Sequence, residues 1–338
     1  MGHFGHLMLL AVLCSLNRVT GEVYYITVNS NDHCTVQPHC LTLSQFAANL
    51  SRYLHSDNTT LVFLPGTHHL SNVNLILSNV ESFTMKSENS TAQIKCTNDS
   101  SMHFSQSQSI HITDLEFIGC GGNQVTQVEQ FLVTDTTFEG QLNSGTALKL
   151  IGTTAQIVSS AFVSNRKGSY RESVGTLDDP GNGFVGGAII VTDKSTITIS
   201  QSNFENNRAQ SGGAIFADTN STINLTDNVS FINNSANSFG GVLYSTTGVV
   251  TINASCTFSN NKAVQGVLYA NTSTLTIEAS EFHDNIANDL GVLYLFNSSV
   301  TIEASEFHDN SANTGSVFYL LNCNITIEGS EFYDNHSR

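Results

Sequence analysis

The sequence predicts an all-β fold, a parallel β-helix solenoid of about 25 residues per coil with a helical cap at its N-terminal end. Three observations carry this. Phe204, Phe231, Phe258, Phe282, Phe307 and Phe332 follow one another at spacings of 27, 27, 24, 25 and 25 residues. An Asn stands three residues after each of them, at Asn207, Asn234, Asn261, Asn285, Asn310 and Asn335. Between them recurs a Gly-led marker: GGAI from Gly186 and Gly212, GGVL from Gly240, GVLY from Gly266 and Gly291, then SVFY from Ser316. One such unit has room for three short strands and cannot bury its own apolar face, whereas stacked copies can.

Composition agrees. The chain has 338 residues, of which 12% are charged and 35 are Asn, and it carries 12 Lys+Arg against 28 Asp+Glu for a net charge of −16. That balance excludes the basic stripe a nucleic-acid backbone requires. With 40% apolar residues the chain does not have the composition of a disordered one.

Taken in order, residues 1–21 read as a signal peptide: Leu7 to Leu16 is an apolar run, followed by Arg18 and by small residues up to Gly21. No other apolar stretch approaches roughly 18 residues, so no membrane span is expected. Residues 22–60 read as an N-terminal cap, with a Cys34–Cys40 loop and an amphipathic helix over about 41–54 covering the open end of the solenoid. The β-helix is expected over 61–338. Its early coils include LVFLPGTHHL from Leu61 and strands ending at Phe117, Phe138 and Phe162. The 42-residue interval from Phe162 to Phe204 implies an inserted loop near 166–184. In the later coils a β-branched alternating segment, such as STLTIEASEF ending at Phe282, reads as a strand. Here Ile302 and Ala304 are expected to point inward and Glu303 outward. The chain ends directly after a repeat marker, which predicts a fragment whose further coils follow.

Cys96 and Cys120 lie 24 residues apart, one coil, and are expected to sit above each other and bridge. Cys256 and Cys323 have no evident partner. Sequons at Asn49, Asn58, Asn89, Asn98, Asn220, Asn224, Asn228, Asn233, Asn253, Asn271, Asn297, Asn324 and Asn335 fit a secreted glycoprotein.

The paired GGA(I/V/L) and FxxN motifs over about 110–338 resemble the repeats of chlamydial polymorphic outer membrane proteins. The LVFLPGTHHL stretch resembles an early coil of pectin-lyase-like right-handed β-helices. Together the resemblances imply a secreted right-handed parallel β-helix. The membrane barrel of the bacterial family has no counterpart here, so an outer-membrane location does not carry over. Within such a coil Phe is expected at a corner, stacking on the next Phe. Asn is expected at an αL turn, its amide bonding to neighbouring backbone or to the Asn above it, and the Gly pair supplies positive φ.

Three constellations are candidates for chemistry. Asp114 and Asp135 each stand three residues before a Phe and are expected to stack, with His111 and Lys149 as potential neighbours. The resemblance implies that a polysaccharide lyase or glycoside hydrolase acting on acidic polysaccharide would need clustered carboxylates with a base beside them; a solvated acidic pair is the favoured reading. Glu278/Glu303/Glu328 and Glu281/Glu306/Glu331 form an acidic ladder beside Asp284/Asp309/Asp334. These carboxylates either splay into water, the favoured arrangement, or bind Ca²⁺; no other cofactor or metal is implied. Tyr244, Tyr269, Tyr294 and Tyr319 follow the Gly-led strands and form either an outward platform for an extracellular glycan or protein, or part of the core. The favoured function is a non-catalytic extracellular scaffold for adhesion or recognition. The acidic-polysaccharide enzyme is the alternative.

Overall fold

A computed structural model describes residues 21–28, 40–54, 58–97, 100–140, 145–167 and 185–338. The expected signal peptide (except Gly21), Cys34, Asn98 and most of the expected insertion lie outside the described residues. The rest is a parallel β-solenoid of three long sheets. The first sheet has 13 strands and reaches Asn324–Glu328, the second has 11 and runs from Thr67–Ser71 to Glu331–Tyr333, and the third has 10 and runs from Leu75–Ser78 to Phe318–Leu321. Each strand pairs with its counterpart one coil away, as when Thr274–Glu278 sits in register with Ser299–Glu303.

A fourth sheet of six short strands was not expected from the repeat. It begins at Arg208–Ala209 and recurs as Ser235–Ala236 and onward after each Asn marker. These strands have two to five residues, too few for alternation to announce them.

The N-terminal end differs from expectation in two ways. Glu22–Ile26 already pairs with Asn58–Phe63, so the first sheet starts ahead of residue 61. The expected single helix is two, α1 (Leu43–Ala48) and α2 (Leu50–Tyr53), broken at Asn49. A capping box opens α1: the Thr42 hydroxyl accepts from the Gln45 amide at 3.3 Å, and Gln45 Oε1 accepts from the Thr42 amide at 3.0 Å. Phe46 then lies fully buried against the rings of Tyr24 and Tyr53.

The corners explain most of the sequence. Many are a residue with φ near +50° followed by a residue turned inward, often Ser or Asn, though Leu115, Val128 and Val229 take that place after Asp114, Gln127 and Asn228. Ala304 is such a corner residue (φ 46°), so it is exposed and Ser305 takes the inward place. Strict alternation fails there because an αL residue shifts the phase. Ser305 Oγ donates to Glu303 O at 2.8 Å and accepts from the Ser280 amide at 3.2 Å, tying one coil to the next. Cys256 occupies the place that Ser280 and Ser305 take later, and Cys323 the place of Ser273 and Ser298. Both orphan cysteines are thus members of corner ladders, with Cys256 buried.

The Phe marker sits at the centre of a three-residue strand of the second sheet rather than at a corner. Nine rings from Phe117 to Phe332 stack with centroids 4.2 to 5.1 Å apart. Phe162 and Phe204 are 4.8 Å apart, so the long interval between them leaves the stack unbroken. The αL residue is the one before the marker Asn, for example Asn233 or Asp284, and the Asn itself points inward. In the Gly pair the first residue has positive φ (Gly212, 63°). A Cβ on the second, Gly213, would meet the Gly241 carbonyl oxygen at 2.0 Å. The pair therefore answers two needs, backbone conformation and close coil-to-coil approach.

Cys96 and Cys120 form a disulfide across neighbouring coils. Cys120 stands three residues after Phe117, where later coils place Asn, so this bond does covalently what the Asn ladder does elsewhere. Closing a loop of 24 residues is worth about 3 kcal/mol in the chain-entropy account. Replacing both cysteines by serine is expected to lower unfolding stability by that order in urea titration; a change below about 1 kcal/mol would contradict it.

Candidate functional site

The outer face of the third sheet carries one continuous column. Successive strands place Ile76, His103, Gln124, Lys149, Ile190, Phe216, Tyr244, Tyr269, Tyr294 and Tyr319 directly above one another. The neighbouring Leu243, Leu268 and Leu293 point into the main core, which decides the facing of the tyrosines as outward. Tyr244 and Tyr269 form a small cluster of their own with Ile190, Phe216 and Phe239.

The cluster is graded. Phe216 and Tyr244 stack at 4.9 Å, and Tyr244 and Tyr269 at 4.7 Å. Phe239, from the segment ahead of the Gly-led strand, lies against Tyr269 at 4.9 Å, and Tyr244 is only 6% exposed. Beyond this cover the geometry changes: Tyr269–Tyr294 and Tyr294–Tyr319 meet edge to face at 5.2 and 5.3 Å. Tyr269, Tyr294 and Tyr319 are half-buried. Burial pushes the Tyr269 hydroxyl up to about 12 and raises Tyr244 and Tyr294 also, so all three stay protonated near neutrality. Among the described residues none of the four hydroxyls is engaged in a hydrogen bond within the chain. The column therefore offers apolar ring faces edged by donors. Phe216 and Phe239 were not singled out in the sequence. Phe216 stands one residue after Ile215, as Tyr244 stands after Leu243, and that slot is the signal that identifies it.

Asp114 and Asp135 are exposed αL corner residues (φ 54° and 48°) on adjacent coils. The same corner carries Ser159 and Gln201 further on, which marks the position as a turn. His111 lies on the first sheet, where its Nε2 is 3.3 Å from the Thr134 hydroxyl, and burial lowers its pKa. Lys149 lies on the third sheet, facing another direction. Asp114 and Asp135 do stand on adjacent coils as expected, and the Asp114 charge acts on His111, but Lys149 does not join them, because period-two patterning cannot tell which sheet a residue faces from.

The acidic ladder is in register as expected, with Glu281, Glu306 and Glu331 aligned and Glu278, Glu303 and Glu328 aligned. His283 and His308, which the sequence reading passed over, are the notable additions. Their rings stack at 5.2 Å, and Tyr333 continues the stack at 4.8 Å. His308 Nε2 is 3.0 Å from Glu281 of the preceding coil and its Nδ1 is 2.9 Å from Asp309. Tyr333 repeats the diagonal, donating to Glu306 at 3.4 Å. The ladder is thus relieved within the chain, by side chains reaching back one coil. Among the described residues no group of three or more His, Cys, Asp or Glu could hold a metal ion.

The hydrogen bond with Asp309 raises the His308 pKa most, and with the further help of Glu281 it outweighs the lowering by burial. A raised folded-state value means the stabilisation is fully present below the unfolded value of about 6.5 and is lost as pH rises through the folded value. His308→Phe keeps the ring stack and removes both carboxylate contacts. Its stability deficit against the parent is expected to be larger at pH 6 than at pH 8.5, read by urea unfolding. Equal deficits at the two pH values would contradict this.

The sequons group on particular faces. Asn49, Asn89, Asn220, Asn228, Asn233, Asn297 and Asn324 are exposed, and Asn58, Asn224, Asn253, Asn271 and Asn335 are half-buried. Most lie on the first sheet or its flanking corners. Asn335 is also a rung of the Asn ladder, its Nδ2 donating to the Phe307 carbonyl at 2.7 Å.

A family described as a right handed beta helix region matches residues 187–338. With the stacked parallel sheets, this identifies the fold as a right-handed parallel β-helix. Comparison with curated proteins gives no match. Among solved structures, PfbA, a surface adhesin of Streptococcus pneumoniae, is similar at 10% identity and TM-score 0.48, over 86% of this chain and 87% of that one. ORF18 of Geobacillus virus E2 is similar at 10% identity and TM-score 0.46, over 83% and 55%. The A-module of the Azotobacter vinelandii mannuronan C-5 epimerase AlgE6 is similar at 11% identity and TM-score 0.38, over 82% and 87%. Among the described residues no helix is long and apolar enough to cross a membrane.

Proposed function

We propose that this chain is a secreted or cell-surface, N-glycosylated, non-catalytic scaffold that recognises an extracellular partner, and that the partner is a glycan lying along the aromatic column. One observation carries the reading. Tyr269, Tyr294 and Tyr319 form a regular, partly exposed outward row on a rigid sheet, about 4.8 Å from coil to coil, continuing the buried Phe216 and Tyr244. Rigid rings lose little entropy on binding, and free phenol donors at their edges suit the mixed apolar and hydroxyl surface of a sugar. The run of sequons supports an extracellular setting. The scaffold is favoured over the enzymatic alternative because Asp114 and Asp135 occupy a recurrent turn position, filled by Ser159 and Gln201 further on, and Lys149 lies on another sheet.

The test is binding of the full chain to an array of neutral and acidic oligosaccharides. Tyr269→Ala and Tyr294→Ala are each expected to weaken the best-bound member about tenfold, the loss of one aromatic contact, with an unchanged circular dichroism spectrum. Binding unaffected by either substitution, or no binding to any member, would overturn the reading.

A further inference from the structure

The outer face of the third sheet carries a second column beside the tyrosines. Thr246, Asn271, Phe296 and Leu321 stand in register on successive coils. Each follows its tyrosine by two residues, and the residue between, such as Ala270 or Leu295, is buried, so both columns leave the sheet on the same side. Asn271 opens the sequon Asn271-Thr272-Ser273. It has Phe296 beside it on the next coil, about 4.8 Å along the sheet, and Tyr269 roughly 7 Å back along its own strand. The other sequons within described strands have hydroxyl neighbours instead. Asn58 stands beside Ser82, Asn224 between Thr198 and Thr251, and Asn324 beside Ser299.

Both members of the Asn271–Phe296 pair are half-buried and open on one side. Asn271 Oδ1 accepts from the Thr272 hydroxyl at 3.0 Å, while Nδ2, the atom that carries an N-glycan, has no hydrogen-bond partner among the described residues. Asn335 is the contrast: its Nδ2 donates to the Phe307 and Tyr333 carbonyls at 2.7 and 3.0 Å. The tyrosine rings contact one another, but among the described residues no aromatic ring packs on Phe296. Leu321, 39% exposed, extends the apolar floor on its far side.

Resting on the aromatic column as a sugar-binding face, we propose that the N-glycan of Asn271 folds back onto this sheet. The first N-acetylglucosamine lays its apolar face on the Phe296 ring, and the glycan holds the Tyr294–Tyr319 end of the column closed to other saccharides. A pyranose offers one face of C–H groups, which suits an uncovered aromatic ring. Contact between one sugar and one ring is weak, but the covalent tether raises the effective concentration of the sugar to about the millimolar range. The sheet thus binds its own modification first, and an outside glycan gains full access where Asn271 is unmodified.

The test uses the full chain secreted from mammalian cells. Peptide mapping is expected to find Asn271 glycosylated. With every glycan trimmed to a single N-acetylglucosamine carrying an isotope-labelled acetyl group, one methyl resonance is expected upfield of the others, displaced by the Phe296 ring current. It is expected to vanish in Asn271→Gln and to rejoin the others in Phe296→Leu. With full glycans, the parent is expected to bind the best-bound oligosaccharide about tenfold more weakly than Asn271→Gln, as a site open about a tenth of the time does. A bare Asn271, no upfield resonance, or one that survives Phe296→Leu overturns the proposal. Equal affinity of parent and Asn271→Gln overturns the closure and leaves the column standing as a glycan site. If Asn271→Gln binds no saccharide while the upfield resonance is present, the packed glycan stands and the reading of the column as a site for outside glycans falls.

Discussion

Asn261→Ala is expected to lower the unfolding free energy by roughly 3–6 kcal/mol, among the largest effects of any single substitution in this chain. Asn261 is fully buried. Its Nδ2 donates to the Phe231 carbonyl at 2.9 Å and to Asn285 Oδ1 at 3.0 Å. Its Oδ1 accepts from the Asn234 amide at 2.9 Å and from Asn234 Nδ2 at 3.1 Å. The same pattern repeats from Asn165 to Asn335, so each side chain is both rung and anchor. Alanine removes four bonds and leaves two Asn234 donors facing a space without an acceptor. The penalty is that of buried unsatisfied groups, about 1–3 kcal/mol each, and exceeds the modest net worth of the bonds themselves. Asn261→Asp keeps the acceptor but sets a charge against the Phe231 carbonyl, so its cost is expected to be no smaller. Urea unfolding followed by circular dichroism measures both. A loss under about 1 kcal/mol for Asn261→Ala would show that the ladder follows from the fold rather than holding it.

Phe258→Ala is expected to cost about 3–5 kcal/mol, the usual price of deleting a fully buried ring. Phe258 lies between Phe231 at 4.9 Å and Phe282 at 4.2 Å, nearly parallel to both. Its removal opens a gap that the coils above and below cannot close, because both are held in register by three sheets. In a solenoid each coil rests only on its neighbours, so the damage has a direction as well as a size. Amide exchange is expected to show protection lost from the coil of Phe258 to the C-terminal end while the coils around Phe117 and Phe138, held by the Cys96–Cys120 bond, keep theirs. Uniform loss of protection along the whole chain would indicate one cooperative unit and contradict this.

Much of this architecture is legible in the sequence, for a specific reason. A repeating coil writes the same physical demand about every 25 residues, so a residue that is ambiguous once becomes clear on its sixth appearance. The Phe stack, the Asn rungs and the Cys96–Cys120 bond follow from spacing alone. What escaped was local. Two-residue strands such as Arg208–Ala209 carry no period. The αL residue ahead of each marker Asn varies among Ser, Asn and Asp, so no single residue type announces it. The strand Glu22–Ile26 precedes the repeats and resembles none of them.

The candidate site divides the same way. The tyrosines were visible as a row, but whether they faced out or in was open, because both faces of those strands are apolar. Packing decided it: Leu243, Leu268 and Leu293 fill the main core, which leaves the rings outside. That Phe239 covers the upper rings, and that Ile190 and Phe216 continue their cluster, are contacts between different coils. The sequence by itself determined the repeat, its length and the residues that stack, since identical coils must lie one upon another. Only the tertiary structure decided which sheet each side chain faces from and which corners meet, since those depend on how αL turns rotate the chain between strands, and one-dimensional periodicity carries no record of that rotation.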